Sequence, residues 1–305
     1  MNILVFGSNG LVGNSLKRAL PINFPESEIF FSTRQDTNLF SYDETLHLIN
    51  DFQPNLIINA AAKVGGIFAN NTQRTSFLTE NLKINLNILE SIMNLDFVKM
   101  INLGSSCIYP LNAPNPIKEE YFMTGKLEPT NSPYALAKIT GIELGNAIRN
   151  EYGHKIINLM PTNLYGPNDN FSSEQSHVIP GLINRMHTAK INSEKKFKIW
   201  GSGKPLREFL YIDDLADAIV FIIKNNIEDE LINIGSNEEI SIMNLAKKLK
   251  EIIEFKGDLD FDSNKPDGNP RKLLSSEIIN SYGWLPKVKL NTGLNKTYKW
   301  YLNNI

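Results

Sequence analysis

Three features of this 305-residue sequence predict an α/β fold built on a doubly wound parallel sheet, with a smaller α/β C-terminal domain. The chain opens as strand, glycine turn and helix. Apolar runs that read as strands buried on both faces then alternate with segments of helical periodicity. Several of these strands end in loops of small or polar residues, at the edge where open parallel sheets bind ligands.

The first element is the apolar run Asn2 to Phe6. Gly7-Ser8-Asn9-Gly10-Leu11-Val12-Gly13 follows, then an amphipathic run to Leu20. Gly7 permits a tight turn, Gly10 lets backbone approach a pyrophosphate, and Gly13 lets helix and strand pack closely. The helix N-terminus then faces the anion, so a nucleotide is expected in a Rossmann-type unit. Glu28 to Ser32 reads as the second strand. About twenty residues past the last glycine, an NAD-binding chain places an acid on the ribose hydroxyls. Here stands Ser32-Thr33-Arg34, and Arg34 suits a 2′-phosphate. NADPH is therefore favoured, while Asp36 keeps NADH open.

Pro54 to Ala62 reads as a strand running into small residues, with Lys63-Val64-Gly65-Gly66-Ile67 as a flexible loop. Thr79 to Met93 has helical periodicity, with Leu82, Leu86 and Leu89 on one face. Val98 to Leu103 is a strand that ends in Gly104-Ser105-Ser106-Cys107-Ile108-Tyr109-Pro110. Two hydroxyls and the chain's one cysteine thus stand at a strand end. A lone cysteine often is a small buried apolar residue; the serine pair beside it argues for a ligand site.

In Asn131-Ser132-Pro133-Tyr134-Ala135-Leu136-Ala137-Lys138, Ser132 suits a helix N-cap and Pro133 the first helical position. The helix should run towards Tyr152 and stop at Gly153. Tyr134 and Lys138, four apart, share one face. A nearby ammonium lowers the phenol's usual value of about 10, so the pair can exchange protons near neutrality. By itself this spacing describes a surface pair; the glycine turn and the strand-end serine give it chemical meaning.

Ile156 to Met160 is a further strand, ending in the loop Pro161-Thr162-Asn163-Leu164-Tyr165-Gly166-Pro167. Asn168 to Ser176 is a polar loop, and Ser176-His177-Val178-Ile179-Pro180 opens a helix containing Arg185. Phe197 to Gly201 alternates as a short strand. Arg207 to Asp214 leads into an apolar helix through Ile223, with Asp213 and Asp214 as its caps. Glu239 to Glu254 reads as an amphipathic helix and Lys265 to Lys272 as a turn-rich basic loop.

Composition narrows the function. Hydrophobic residues are 42% and charged residues 21%, ordinary for a globular protein with one large domain or two modest ones. A net charge of -2 gives no general attraction to nucleic acid or anionic membranes. One cysteine cannot form an internal disulfide and fits a reducing compartment. The four histidines and that cysteine show no metal-ligand spacing, so no metal is expected. The N-terminal residues enter a strand directly, and no apolar run approaches membrane-spanning length. A cytoplasmic location is expected.

The glycine spacing G-x-x-G-x-x-G resembles the extended short-chain dehydrogenase/reductases. Across nearly the whole chain, the sequence resembles the GDP-L-fucose synthase family, the GDP-4-keto-6-deoxymannose 3,5-epimerase/4-reductases. The resemblance rests most on residues 104–110, on Leu127-Glu128-Pro129-Thr130-Asn131-Ser132-Pro133-Tyr134-Ala135, on Met160 to Pro167 and on Ser176 to Pro180. It implies that Ser105, Tyr134 and Lys138 form a reductase triad, and that Cys107 and His177 are the acid/base pair of epimerisation. It implies NADPH contacts at residues 7–13, at Arg34 and the loop to Leu39, at Leu103, Gly104, Ser105, Ser106 and Lys138, at Pro161, Thr162, Asn163 and Leu164, and at His177. GDP-sugar contacts are implied at Arg185, Trp200, Arg207, Asp267 and Lys272. The implied NADP-binding domain comprises residues 1–166 with about 207–236, and the substrate domain about 167–206 with 237–305. A homodimer packed through the helices near Thr79 to Met93 and Tyr134 to Tyr152 is also implied. The alternative is a relative acting on another GDP-4-keto-deoxy sugar, such as a colitose or deoxyheptose precursor. Which of Cys107 and His177 takes the first proton stays open.

Overall fold

In the structure, a computed structural model, residues 1–172, 176–262 and 267–304 are described. The expected loops at 168–176 and 265–272 fall partly outside them. The first half comprises β1 (Asn2–Phe6), α1 (Leu11–Asn23), β2 (Glu28–Ser32), α2 (Tyr42–Phe52), β3 (Leu56–Asn59), α3 (Ile67–Thr72), α4 (Arg74–Ile92), β4 (Lys99–Leu103) and α5 (Ser132–Tyr152). The next elements are β5 (Lys155–Pro161), β6 (Asn163–Tyr165), α6 (Val178–Ile191), β7 (Lys196–Trp200), β8 (Leu206–Tyr211), α7 (Ile212–Lys224) and β9 (Leu231–Ile234). The last are β10 (Glu239–Ser241), α8 (Ile242–Ile253), β11 (Asp258–Asp262), β12 (Arg271–Lys272), α9 (Glu277–Ser281) and α10 (Leu290–Asn304).

Six parallel strands form the central sheet in the order β2-β1-β3-β4-β5-β9. From β1 the chain builds β2 on one side, then crosses back to place β3 on the other. The crevice between the C-terminal ends of β1 and β3 is therefore the topological switch point. Side chains alternate across the sheet. Ile3 and Val5 join the core under α1 and α7, with Leu16, Ile58, Leu215 and Ile219. Leu4 and Phe6 join the opposite core, with Ile49 of α2, Ile88 of α4 and Ile148 of α5. Burying both faces explains why these strands read as unbroken apolar runs.

One buried row is polar. Asn59, Asn102 and Asn158 are register partners on β3, β4 and β5. Asn59 donates to Asn102 at 3.1 Å, and Asn102 to Asn158 at 3.2 Å. Asn85 on α4 donates to the Ala137 carbonyl of α5 at 3.2 Å. Each of these amides finds a partner, as burial demands, and the last bond holds α4 against α5 at the residue that precedes Lys138.

The second lobe packs α6, α8 and α10 around β8, which pairs with β6, β10 and β12, and around the two-stranded sheet of β7 and β11. Its core includes Ile183, Met186, Phe197, Phe209, Leu245, Leu249 and Leu294, together with Tyr165 and Tyr211. Ile279 and Trp284, late in the chain, pack instead in the core beside α7.

Several expectations are corrected. Residues 163–165, expected as loop, form β6 on β8, and Glu239–Ser241, expected as helix, form β10. Such short strands owe their bonds to partners distant in sequence. The loop at Lys63 is pinned: its N–H and C=O bond the Asn81 side chain at 2.9 and 3.0 Å, and Ile67 already opens α3. On α4 the buried stripe includes Phe77, Asn81, Ile84, Asn85, Ile88, Leu89 and Ile92, with Leu82 and Leu86 only half-buried. Apolar periodicity misjudged that face because two of its inward residues are hydrogen-bonded asparagines. Asn131, not Ser132, is the N-cap position of α5. Asp213 and Asp214 lie within the first turn of α7 and reach other elements. Asp213 accepts from Ser15 at 2.7 Å and pairs with Arg18, while Asp214 accepts the Lys287 and Val288 N–H groups at 3.1 and 3.0 Å. No helix among the described residues is long and apolar enough to cross a membrane.

Candidate active site

At the switch point, Gly7 has φ +77°, and a Cβ there would lie 2.6–2.7 Å from backbone atoms of Ala60 and Ala61. A Cβ at Gly13 would collide with Gly7 and Ser8. Only glycine lets β1, β3 and α1 converge so closely. Gly10 is the N-cap of α1 and brings no side-chain cap, so the first N–H groups of a 13-residue helix are offered at the crevice. The Ser8 hydroxyl donates to the Ser32 and Phe31 carbonyls at 2.8 and 3.2 Å, tying the ends of β1 and β2 together. Asn9 accepts from Lys17 at 2.9 Å.

After β2, the Asp36 carboxylate accepts both the N–H and the hydroxyl of Thr33 at 2.7 Å each. The Thr33 bonds hold its pKa below the ordinary value. That acid is committed to its own turn, while Arg34 beside it is exposed. Leu39 is half-buried and its carbonyl accepts from Asn87 at 2.9 Å. An uncapped helix start, a glycine cradle and an exposed guanidinium fit a dinucleotide whose adenosine carries an extra phosphate.

At the end of β4, the Gly104 N–H donates to Leu159 at 2.9 Å. Ser105 begins a short 3-10 turn over Ser106–Ile108, and its hydroxyl accepts the Cys107 N–H at 3.3 Å. Ser106 is buried. Tyr134 and Lys138 project from the first turns of α5. Tyr134 is 9% exposed, hydrogen-bonds Ser105, and meets the Phe77 ring edge-on at 6.3 Å. Lys138 is 2% exposed and donates to the Leu103 carbonyl at 2.7 Å. Burial pushes its amine down to about 8. The expected lowering of the phenol is corrected: burial, and then the neighbouring Cys107, raise Tyr134 above its ordinary value, against the Ser105 bond that lowers it. The ammonium lies 5.9 Å from the ring centroid and spends a donor on Leu103.

Cys107 is half-buried against Ala69, Phe77 and Tyr134. Its sulfur accepts from Asn131 Nδ2 at 3.3 Å and from Lys272 Nζ at 3.6 Å. Lys272 comes from β12, where it is the register partner of Arg207 on β8. A second-lobe cation thus meets the first-lobe thiol.

The remaining expected residues lie at the end of β5 and along the second lobe. Pro161 ends β5, and Thr162 and Asn163 donate to the Glu208 carbonyl at 3.2 and 2.8 Å; Leu164 lies in β6. His177 is the N-cap residue of α6; its ring reaches solvent, yet surrounding protein disfavours its cation and lowers its pKa. Arg185 stacks over Phe197 and Trp200 at 5.3 and 5.9 Å and donates to the Lys198 carbonyl at 3.3 Å. Arg207 is half-buried, and Asp267 accepts the Ser202 N–H and hydroxyl at 2.7 Å each. Contacts therefore join Ser105, Cys107, Tyr134 and Lys272, with Lys138 beside them. Among the described residues no hydrogen bond joins the His177 ring to that set, and no cluster of three His, Cys, Asp or Glu side chains could hold a metal ion.

Asn131 and Phe77 were missed in the sequence. Asn131 belongs to a helix-start pattern that gives it an ordinary capping role, and Phe77 stands just before the span read as helix.

The chain is similar to known proteins over nearly its whole length. Residues 3–235 match the model of the NAD dependent epimerase/dehydratase family. A GDP-L-fucose synthase of Sinorhizobium fredii is 47% identical over 99% of this chain and 96% of its own length. A GDP-6-OMe-4-keto-L-xylo-heptose reductase from C. jejuni superposes with a TM-score of 0.92 at 30% identity, covering 100% of this chain and 98% of that one. A GDP-L-fucose synthetase from Naegleria fowleri bound to NADP superposes with a TM-score of 0.89 at 29% identity, over 99% of this chain and 94% of that one.

Proposed function

The chain belongs to the NAD dependent epimerase/dehydratase family, and from that premise we propose that it converts GDP-4-keto-6-deoxy-D-mannose to GDP-L-fucose by NADPH-dependent 3,5-epimerisation and 4-reduction. One observation carries the reading: a thiol, a phenol and a hydroxyl meet at the end of β4, with a buried amine beside them. A plain reductase needs the last three groups; the thiol adds a base or acid suited to a carbon adjacent to a ketone.

Residues 7–13 would hold the pyrophosphate of NADPH and Arg34 its adenosine phosphate. When bound, the cofactor supplies hydride to C4. Ser105 and Tyr134 bond the C4 carbonyl oxygen, and those bonds strengthen as an enolate forms. Cys107 and His177 remove and return the protons at C3 and C5, since a thiol and an imidazole bracket working pH. Tyr134 then protonates the C4 oxygen. The phenol's raised pKa keeps it protonated until that step, and Lys138, tuned to about 8, resupplies positive charge close by. Arg185, Arg207 and Asp267 hold the nucleotide with Trp200, the cations matching the diphosphate. The sheet, residues 1–166 with about 207–236, serves as the NADP-binding domain; residues of about 167–206 with 237–305 serve as the substrate domain.

We propose a homodimer through α4 and α5, supported by the exposed Leu136 and Tyr152 and the half-exposed Leu82 and Leu86. Light scattering on a Leu136→Glu variant tests it; the variant should run as monomer. A cytoplasmic location follows the free thiol's need of a reducing medium.

The test is incubation with GDP-4-keto-6-deoxymannose and NADPH in heavy water. GDP-L-fucose carrying deuterium at C3 and C5 is expected by NMR. A reduced sugar without label would leave a 4-reductase only. Cys107→Ser should slow label uptake far more than reduction of an already epimerised substrate. The similarity in fold to a heptose reductase favours a second reading, action on another GDP-4-keto-deoxy sugar, which a substrate panel separates.

A further inference from the structure

Among the described residues, the Cys107 sulfur receives two donors and donates to none. Asn131 Nδ2 lies 3.3 Å away and Lys272 Nζ 3.6 Å away. Asparagine is a favoured N-cap because its side chain accepts an N–H of the first turn. Asn131 holds the N-cap position of α5, yet its side chain makes no such bond. The amide is spent on sulfur instead. The turn that presents it is held by Glu128, whose carboxylate accepts from the N–H groups of Thr130 and Asn131 at 3.1 and 3.2 Å and from the Thr130 hydroxyl at 2.5 Å.

Lys272 is anchored as firmly. β12 pairs with β8, and the next two N–H groups are fixed: Leu273 donates to Asn115 at 2.8 Å, and Leu274 to the buried Glu208 carboxylate at 3.1 Å. Tyr134, Phe77 and Ala69 also pack about the thiol, and the Lys138 ammonium is turned onto Leu103. Among the described residues, Lys272 is thus the cation bonded to the sulfur.

We propose that Asn131 and Lys272 are positioning residues that hold Cys107 as a thiolate aimed into the site, with Asn131 the fixed donor and Lys272 the charge supplied by the second lobe. The thiol's proton leaves to solvent, and the sulfur anion is kept by two donors that a neutral S–H would waste. The catalytic meaning of that anion rests on the epimerase reading above; the cradle itself does not. Lys272 then serves the proton transfer, where resemblance alone implied a sugar contact.

Cys107 is the chain's one cysteine, so its alkylation reports the cradle without substrate or cofactor. Iodoacetamide rates are measured by mass spectrometry at pH 7 and pH 10. At pH 7, Lys272→Met should react about tenfold more slowly and Asn131→Ala about threefold, both deficits closing at pH 10, where the thiol ionises without help. Asn131→Asp, which replaces a donor by a like charge, should be slower than Asn131→Ala. Lys272→Arg, which keeps the cation, should retain most of the rate. In the unaltered protein, the ratio of the pH 7 to the pH 10 rate should exceed that of N-acetylcysteine; this arm needs no variant to fold. A ratio equal to or below the free thiol's, or unchanged rates in folded Lys272→Met and Asn131→Ala, overturns the proposal. Loss of deuterium uptake at C3 and C5 in both variants, with reduction of a pre-epimerised sugar kept, would link the cradle to the first chemical step. Normal alkylation shifts with no label uptake even in the unaltered enzyme would fault the epimerase reading and leave the cradle standing.

Discussion

Tyr134 and Lys138, at the end of β4, are 9% and 2% exposed, whereas Trp200 on the second lobe is 59% exposed. The difference follows the work proposed for each region. Groups that move protons gain from burial, because desolvation moves their pKa and a rigid helix fixes their aim. Lys138 is brought to about 8 in this way. Groups that hold a charged nucleotide must stay reachable and keep their charge. Arg185 is propped on Phe197 and Trp200, and arginine stays cationic even where partial burial lowers its pKa. One region is therefore a pre-set corner and the other an open wall.

The comparison breaks most easily at Tyr134. Tyr134→Phe should cost about 10²–10⁴-fold in both deuterium uptake and reduction, followed by NMR and by NADPH absorbance. Full retention of either step would separate the phenol from the carbonyl oxygen. On the open wall, Arg207→Ala should raise KM for the GDP-sugar about ten- to a hundredfold, as loss of a charge-assisted bond implies, with kcat changed far less. An equal fall in kcat would place Arg207 in the corner instead. Arg34→Ala should lower the preference for NADPH over NADH about tenfold or more, read from the two kcat/KM values; Asp36, engaged by Thr33, should not restore NADH use by itself.

The smallest effect concerns stability. Lys138 sits at about 8 folded, against an ordinary 10.5. Between those values the unfolded chain binds more protons, so stability rises with pH across that window, and below pH 8 the cost of burial is fully felt. Against Lys138→Met, the unaltered protein should gain on the order of 2 kcal/mol between pH 8 and 10, measured by urea unfolding. No relative gain would mean that the amine is not desolvated.

Parts of this division were legible before folding. The glycine turn, the second strand at Glu28–Ser32 and the helix from Ser132 to Tyr152 stand where local pattern places them. The groups proposed to move protons were readable because their spacing lies within one helix or one strand end. The second lobe was less so. β6 and β10 are three residues each, too short for a period, and exist because each pairs with β8. The hydrogen bonds of Asp36 with Thr33, and the commitment of Asp213 and Asp214 to distant elements, depend on rotamers and partners that no pattern encodes.

By itself, the order of residues determined the parallel strands, the glycine turn after β1 and the placing of Tyr134 and Lys138 on one face of α5. Those outcomes are local, since glycine freedom, apolar period and helical spacing act over a few residues. Tertiary structure alone decided the company of the thiol. Lys272 is 165 residues from Cys107 along the chain, and only the pairing of β12 with β8 carries its ammonium there. Contacts between such distant residues form when folding closes the intervening chain, so spacing cannot announce them.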